Sequence, residues 1–473
     1  MSLFSGINAI DSLVSSSWNL RAHTALSLTY SFLQTPPADA SNADKSGFKP
    51  MTADQQDAAR DALAKWASVA DITFTEVASG GQIQLGVNIQ PISKSAGYAY
   101  LPESGSSSVA LYLNGRDDSN SDYTPGTYGP TVILHELGHT LGLKHPGNYN
   151  AGGGGEDPPY LPDVTDNRNY TQMSYYEPLS YQTLHADPGT PMLYDIEAMQ
   201  YLYGANTHYR SGDDVYTFND KTIPLCIWDA GGVNTFDFSA CTASTHIDLR
   251  AGEFSSTAGS LENISIAYGV SIIHAVGSAI ADTITVNSAG DSIDGGGGQD
   301  TVVEAGARAA YVVTINAGVA SVQATASGKL DTLVNVERLQ FADTTVALDI
   351  DGVAGQAYRL YQAAFNRTPD LAGLSYWIKA GDGGLPLVTM AQGFVTSAEF
   401  SATYGTLTDE QYVTQLYVNV LHRQPDAAGV AFHLQHLQNH DTTRPDTLMA
   451  FSESAENQAA LIGVISHGIP IQI

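Results

Sequence analysis

The eleven residues His135-Glu136-Leu137-Gly138-His139-Thr140-Leu141-Gly142-Leu143-Lys144-His145 constrain this chain more than any other stretch, because they describe a helix that must stop abruptly. Residues four apart share one face of a helix, so His135 and His139 can turn both imidazoles toward one metal ion. Glu136 stands beside the first of them, where its carboxylate reaches a metal-bound water without taking a metal position. Gly142 is the residue that can end the helix, since glycine enters the left-handed region without penalty. The chain then turns back and offers His145 as a third ligand. Three neutral nitrogens leave a fourth position open, which marks a catalytic rather than a structural zinc. Such a zinc brings the pKa of its water near neutrality, Glu136 takes the proton, and the hydroxide attacks a peptide carbonyl. The five-residue His-Glu-x-x-His alone occurs on ordinary helices; the added glycine and third histidine in register make the longer motif far more specific.

With 473 residues the chain exceeds one ordinary core, and two or three domains are expected. Hydrophobic residues at 43% against charged residues at 15% exclude wholesale disorder. The balance of 20 Lys+Arg to 49 Asp+Glu, a net charge of −29, repels nucleic acid and anionic membranes, so neither is expected as a partner. It suits a chain that binds divalent cations through carboxylates, although solubility alone accounts for the same charge. No segment approaches the roughly 20 apolar residues of a membrane span, and the N-terminus lacks the pattern of a Sec-type signal. Cys226 and Cys241 lie far from the histidines, and one disulfide or two buried thiols fit the spacing equally.

The first two hundred residues read as α/β. Residues 51–69 form a helix with Thr52 and Gln55 as a capping box, followed by strands at 72–76, 82–87, 98–101 and 109–113; Thr131 opens the motif helix. From about residue 206, short strands alternate with Gly, Asn, Asp and Ser, and a nine-residue register places Asp282, Asp291 and Asp300 in equivalent positions. Beyond Gly352 the chain turns helical and repeats: Leu360-Tyr361 to Arg367-Thr368-Pro369-Asp370-Leu371-Ala372-Gly373 returns as Leu416-Tyr417 to Arg423-Gln424-Pro425-Asp426-Ala427-Ala428-Gly429, and Ser397-Ala398-Glu399 as Ser454-Ala455-Glu456.

The run from His135 to His145, its continuation Pro146-Gly147-Asn148-Tyr149-Asn150-Ala151-Gly152, and Tyr170-Thr171-Gln172-Met173-Ser174-Tyr175 together resemble the serralysin group of metzincin zinc proteases. The likeness continues through Tyr201–Asn206 and Ile227–Gly232 and spans roughly residues 10–303. It implies a multidomain α+β chain: a metzincin α/β catalytic domain over 1–205, a calcium-binding β-domain (a β-sandwich with a short parallel β-roll) over 206–350, and an all-α tandem helical module over 351–473. It implies one catalytic zinc on His135, His139 and His145, with Met173 as the floor, and Tyr175 as a switching ligand and oxyanion partner. Ala96, Tyr98 and Tyr100 match the edge strand that such proteases lay beside a bound peptide.

One to a few structural calcium ions are implied by the same likeness. A first site matches Arg210, Gly212, Asp214, Asp229 and Gly231, with Asn234 replacing an aspartate and so removing a negative charge. A second would join the turn ending at Asp282 to Gly295, Gly297 and Asp300. The resemblance further implies secretion by a type I exporter that needs no N-terminal signal, and a propeptide before Asp11 that is very short or already removed. The expected partners are protein or peptide substrates; a cell-surface partner for the helical module and a proteinaceous inhibitor are further candidates. An alternative reading is a surface-associated binding or assembly protein whose protease site is vestigial or serves a single target.

Overall fold

In a computed structural model, residues 3–90, 95–103, 105–151 and 153–472 are described; Gly152 of the motif continuation and Ile473 lie outside them. The chain divides into two compact units, Met1–His274 and Ala275–Ile473. Mixed α/β sheets with a helical C-terminal region make it a multidomain α+β protein. The division falls inside the segment 206–350 that the sequence reads as one β-domain. Residues 206–274 are tied to what precedes them: Asn206 Nδ2 donates to Ala67 O at 2.8 Å and Asn169 Nδ2 to Glu262 O at 3.0 Å.

In the first unit, strands β1 (Leu26–Phe32), β2 (Ile72–Glu76), β3 (Ile83–Asn88), β4 (Gly97–Ala99) and β5 (Val109–Asn114) form one sheet in the order β2-β1-β3-β5-β4. All pairs are parallel except β4, which runs antiparallel to β5 and forms the sheet's edge. Helix α1 (Ala53–Val69) opens on Thr52, whose hydroxyl accepts from Gln55 N while Gln55 Oε1 accepts from Thr52 N. Its Ala59, Ala62, Leu63, Trp66 and Val69 recur at helical spacing and are buried. Trp66 Nε1 donates to Leu134 O at 3.2 Å and so anchors α2 (Tyr128–Thr140), the helix of the histidine motif. That helix begins at Tyr128, three residues before the expected Thr131, because Pro130 is tolerated in a first turn where its missing N–H is not needed. A third helix, α3 (Leu193–Tyr203), buries Leu193, Ile196, Met199 and Leu202.

In the second unit, three short strands, Thr283–Thr285, Ser292–Asp294 and Thr301–Val303, follow the nine-residue spacing and bury Ile284, Ile293 and Val302. The first and third pair in parallel, Thr283 with Thr301. Where the register ends, an antiparallel meander of Tyr311–Asn316, Val319–Ala324 and Leu330–Val334 takes over, and Ser292 pairs with Thr332. The tandem repeat is two sets of four helices, starting at Val353, Leu371, Leu387 and Ala398 and again at Asp409, Ala427, Arg444 and Ala455. The repeated residues form the same clasp twice. Arg367 and Arg423 bond to Glu399 at 2.8 Å and Glu456 at 3.0 Å, and each guanidinium lies 5.0 Å from a tyrosine ring, Tyr361 or Tyr417. Gly373 and Gly429 recur because a Cβ there would press on those tyrosine hydroxyls. Among the described residues, no helix is long and apolar enough to cross a membrane.

Candidate metal centre

Helix α2 ends in a Schellman turn. Gly142 takes φ +110°, its N–H bonds to His139 O at 2.9 Å, and Leu143 N bonds to Gly138 O at 3.0 Å. A Cβ on Gly142 would lie 2.2 Å from Ser16 O, so this position requires glycine twice over. The reversal brings His145 back over His135 and His139. The three Nε2 atoms stand 3.2 Å from one another in every pair.

Each ring is oriented from behind. His135 Nδ1 meets Gln172 O at 2.8 Å, His139 Nδ1 meets Leu143 O at 2.8 Å, and His145 Nδ1 meets Glu156 Oε1 at 3.0 Å. Carbonyl and carboxylate oxygens only accept, so the ring protons sit on Nδ1 and three bare Nε2 lone pairs converge. Burial pushes His135 down to about 3 and His139 to about 4, keeping both neutral. Three facing lone pairs repel unless a cation lies between them. A tetrahedral edge is about 1.6 times the metal–ligand distance, so these spacings fit an ion about 2.0 Å from each nitrogen, the length of a zinc–imidazole bond. The donor set therefore fits zinc.

Glu136 is buried, with Oε2 free of any hydrogen-bond partner, and desolvation pushes its carboxyl up to about 8. Gly97 of β4 makes room for it, since a Cβ there would lie 3.0 Å from Glu136 Oε1. Met173 is fully buried beneath the helix, its sulfur filling the space that a side chain at Gly138 would take. The Tyr175 ring centroid is 4.6 Å from that of His145, and its hydroxyl accepts from Ala151 N at 3.2 Å. Ala96 and Tyr98 lie along the cleft, but the hydroxyls of Tyr98 and Tyr100 turn away to Asp44 Oδ1 at 2.6 and 2.9 Å, clamping the edge strand. The cleft, of about 290 Å³, runs past β4, the three histidines, Glu136 and Tyr175.

Three supporting residues have no signature in the motif. Glu156 arrives on a glycine-rich loop. Asp44 caps a one-turn helix. Asp195 of α3, fully buried, accepts from Gln172 N at 2.7 Å and Thr171 Oγ1 at 2.6 Å and so fixes the carbonyl that orients His135.

The two expected calcium sites differ. Asp300 is buried with Oδ2 unpartnered, its Oδ1 accepts from Asp282 N at 2.8 Å, and burial with neighbouring carboxylates pushes it up to about 7. An orphaned carboxylate oxygen beside the glycine turn Gly295–Gly297 fits a hard cation. At the first site the carboxylate oxygens and the Gly231 carbonyl already have partners. Both Asp229 oxygens accept, from Tyr216 Oη at 2.6 Å and Gly231 N at 2.9 Å, and Asp214 faces Arg210 at 3.4 Å. Gly212 belongs to the same pair of touching loops, with a Cβ on Gly232 meeting its carbonyl at 1.9 Å. Asn234 fills the remaining space. These residues do not fit a calcium ion. Cys226 and Cys241 are both buried thiols.

The three-histidine centre thus stands beside the edge strand of an α/β sheet. Residues 194–371 match the family model "Peptidase M10 serralysin C terminal", and residues 391–461 match a domain of unknown function, DUF4214. The chain is 41% identical to serralysin of Proteus mirabilis over 281 residues, covering 50% of this chain and 55% of that protein. It is 38% identical to metallopeptidase AprA of Pseudomonas marginalis over 301 residues (57% of this chain, 61% of that one) and 38% identical to serralysin A of Dickeya chrysanthemi over 287 residues (54% and 58%). The chain thus spans little more than half the length of these curated relatives, and over that half it is serralysin-like. Among solved structures, myroilysin matches over 28% of this chain and 54% of its own, at 21% identity and a TM-score of 0.19, too low to bear on the fold.

Proposed function

We propose that the protein is a secreted zinc-dependent endopeptidase whose centre is His135, His139 and His145. The observation that carries this reading is the convergence of three Nε2 atoms at 3.2 Å beside the buried, unpartnered Glu136 carboxylate. Zinc held there would supply Lewis acidity, polarising a peptide carbonyl and acidifying a water. The chain's own residues do the rest. The exposed edge of β4 pairs with an extended peptide through main-chain groups, which tolerates many sequences. Glu136 takes a proton from the attacking water on Oε2 as its oxygen bonds to the carbonyl carbon. It returns that proton to the amine nitrogen as the C–N bond breaks. Tyr175, on leaving Ala151 N, donates its hydroxyl to the carbonyl oxygen as negative charge gathers there.

In this reading residues 1–205 carry catalysis, 206–350 form the calcium-binding part, with the ion held at Asp300, and 351–473 dock the enzyme to a cell-surface partner. Digestion of a peptide library by the purified protein and by Glu136→Ala tests it. Broad cleavage that disappears in the variant supports the endopeptidase. A wild-type protein that holds zinc and cleaves nothing refutes it in favour of a binding protein.

A further inference from the structure

Two loops of the first unit meet where serralysin-like sequence predicts a calcium ion, residues 209–214 and 229–235. They are closed by hydrogen bonds. Asn234, buried to 1% exposure, lies at the centre of the junction. Its Oδ1 accepts from Asp214 N at 3.0 Å, and its Nδ2 donates to Gly231 O and to Ser271 O, each at 3.3 Å. Around it, Thr235 N bonds to Asp214 O at 2.9 Å, Ala230 N to Tyr209 O at 3.1 Å and Val233 N to Asp213 Oδ1 at 2.7 Å.

We infer that the Asn234 carboxamide stands in for a cation at this junction, so that the loops hold together without calcium. A calcium site needs six to eight oxygens whose lone pairs point at one spot. Here the carbonyls of Gly231 and Ser271 point instead at an –NH₂ group, which supplies the positive end of a dipole where an ion would supply charge. The neighbouring carboxylates are satisfied in the same way, Asp229 by Tyr216 and the Gly231 amide, and Asp214 by the Arg210 guanidinium. The side chain at 234 decides the matter. An aspartate of the same shape would set a carboxylate oxygen against two carbonyl oxygens in a buried space, and only a cation would relieve that repulsion. The single exchange of –NH₂ for –O⁻ therefore converts a calcium-independent junction into a calcium-dependent one. Calcium response in this protein then belongs to the Asp300 turn of the second unit, a part of the inference that rests on the proposed role of that turn.

Backbone hydrogen exchange on the full chain, in excess EGTA and in millimolar calcium, tests this. In the wild type the amides of Asp214, Ala230 and Thr235 are expected to exchange at the same rate in both conditions. In Asn234→Asp they should exchange about tenfold or more faster in EGTA, the effect of losing one or two buried hydrogen bonds, and recover in calcium. Wild-type amides at these positions that lose protection in EGTA would overturn the inference, as would an Asn234→Asp protein indifferent to calcium. Should that variant fail to fold, Asn234→Ala gives a second reading: faster exchange in both conditions supports the inference, and rescue by calcium contradicts it. The Asp282 amide, bonded to Asp300 Oδ1, reports on the other turn separately.

Discussion

Replacing Glu156 should weaken zinc binding although Glu156 is outside the motif and is not itself a ligand. Two of the three imidazoles are oriented by main-chain carbonyls, Gln172 O and Leu143 O, which no substitution removes. Only His145 relies on a side chain, Glu156 Oε1 at 3.0 Å, and that oxygen is steadied by Asn150 Nδ2 at 3.1 Å. The His145 side chain is 5% exposed, so its Nδ1–H has little access to water once the carboxylate is gone. Leaving a buried donor unmet costs about 1–3 kcal/mol. Partners behind metal-bound histidines are typically worth about 10–100-fold in affinity, or about 1.4–2.8 kcal/mol, and the two figures agree. Glu156→Gln keeps an acceptor oxygen but loses the charge, so it should fall near the tenfold end; Glu156→Ala should approach a hundredfold. Competition against a chromogenic zinc chelator reads both. Zinc affinity within twofold of wild type in Glu156→Ala would show that His145 is held without the carboxylate.

Gly142→Ala should destabilise the first unit by at least about 2 kcal/mol, from the positive φ and the contact with Ser16 O, seen as a lower denaturation midpoint. Asp195→Asn should lower zinc affinity through the Gln172 segment without changing any ligand, read by the same chelator competition. In the helical module, breaking the solvent-exposed Arg423–Glu456 pair should leave the denaturation midpoint nearly unchanged. Arg359→Met at the buried Arg359–Glu453 pair should cost about 3–5 kcal/mol, by denaturant titration of both variants. Burial pushes Asp291 up to about 7 in the folded protein, so its protonated form is favoured there. The associated stability is complete below the ordinary carboxylate range and is lost as pH rises through 7. In calcium-stripped protein, the thermal midpoint of Asp291→Asn should exceed that of wild type by clearly more at pH 8 than at pH 5; the same difference at both would count against the buried charge.

What the sequence made legible was local. His135, Gly142 and His145 lie within eleven residues, and helical geometry with one left-handed glycine sets their approach. The recurrence of Arg-x-Pro-Asp-x-Ala-Gly was visible as self-similarity, and the structure supplies its reason in the arginine–tyrosine–glutamate clasp. Residues that act from a distance were not legible. Asp44 reaches Tyr98 across 54 positions, and Asp195 holds Gln172 from a separate helix, so neither has a fixed spacing to the site. The meander after residue 310 was also hidden, because its strands pair by alternation rather than by the nine-residue register. Asn234 departs from the family pattern in the sequence, but what it contributes depends on which atoms the fold brings to its amide.

In the proposed mechanism, cleavage depends on zinc held by three histidines and on the Glu136 carboxylate. Its most direct test is restoration of chelator-stripped protein with one equivalent of zinc, following hydrolysis of a quenched peptide in wild type, His139→Ala and Glu136→Ala. No hydrolysis is expected in the stripped protein, with recovery at one equivalent in the wild type alone and zinc bound without turnover in Glu136→Ala. Hydrolysis by the stripped protein, or full activity in Glu136→Ala, would rule that mechanism out.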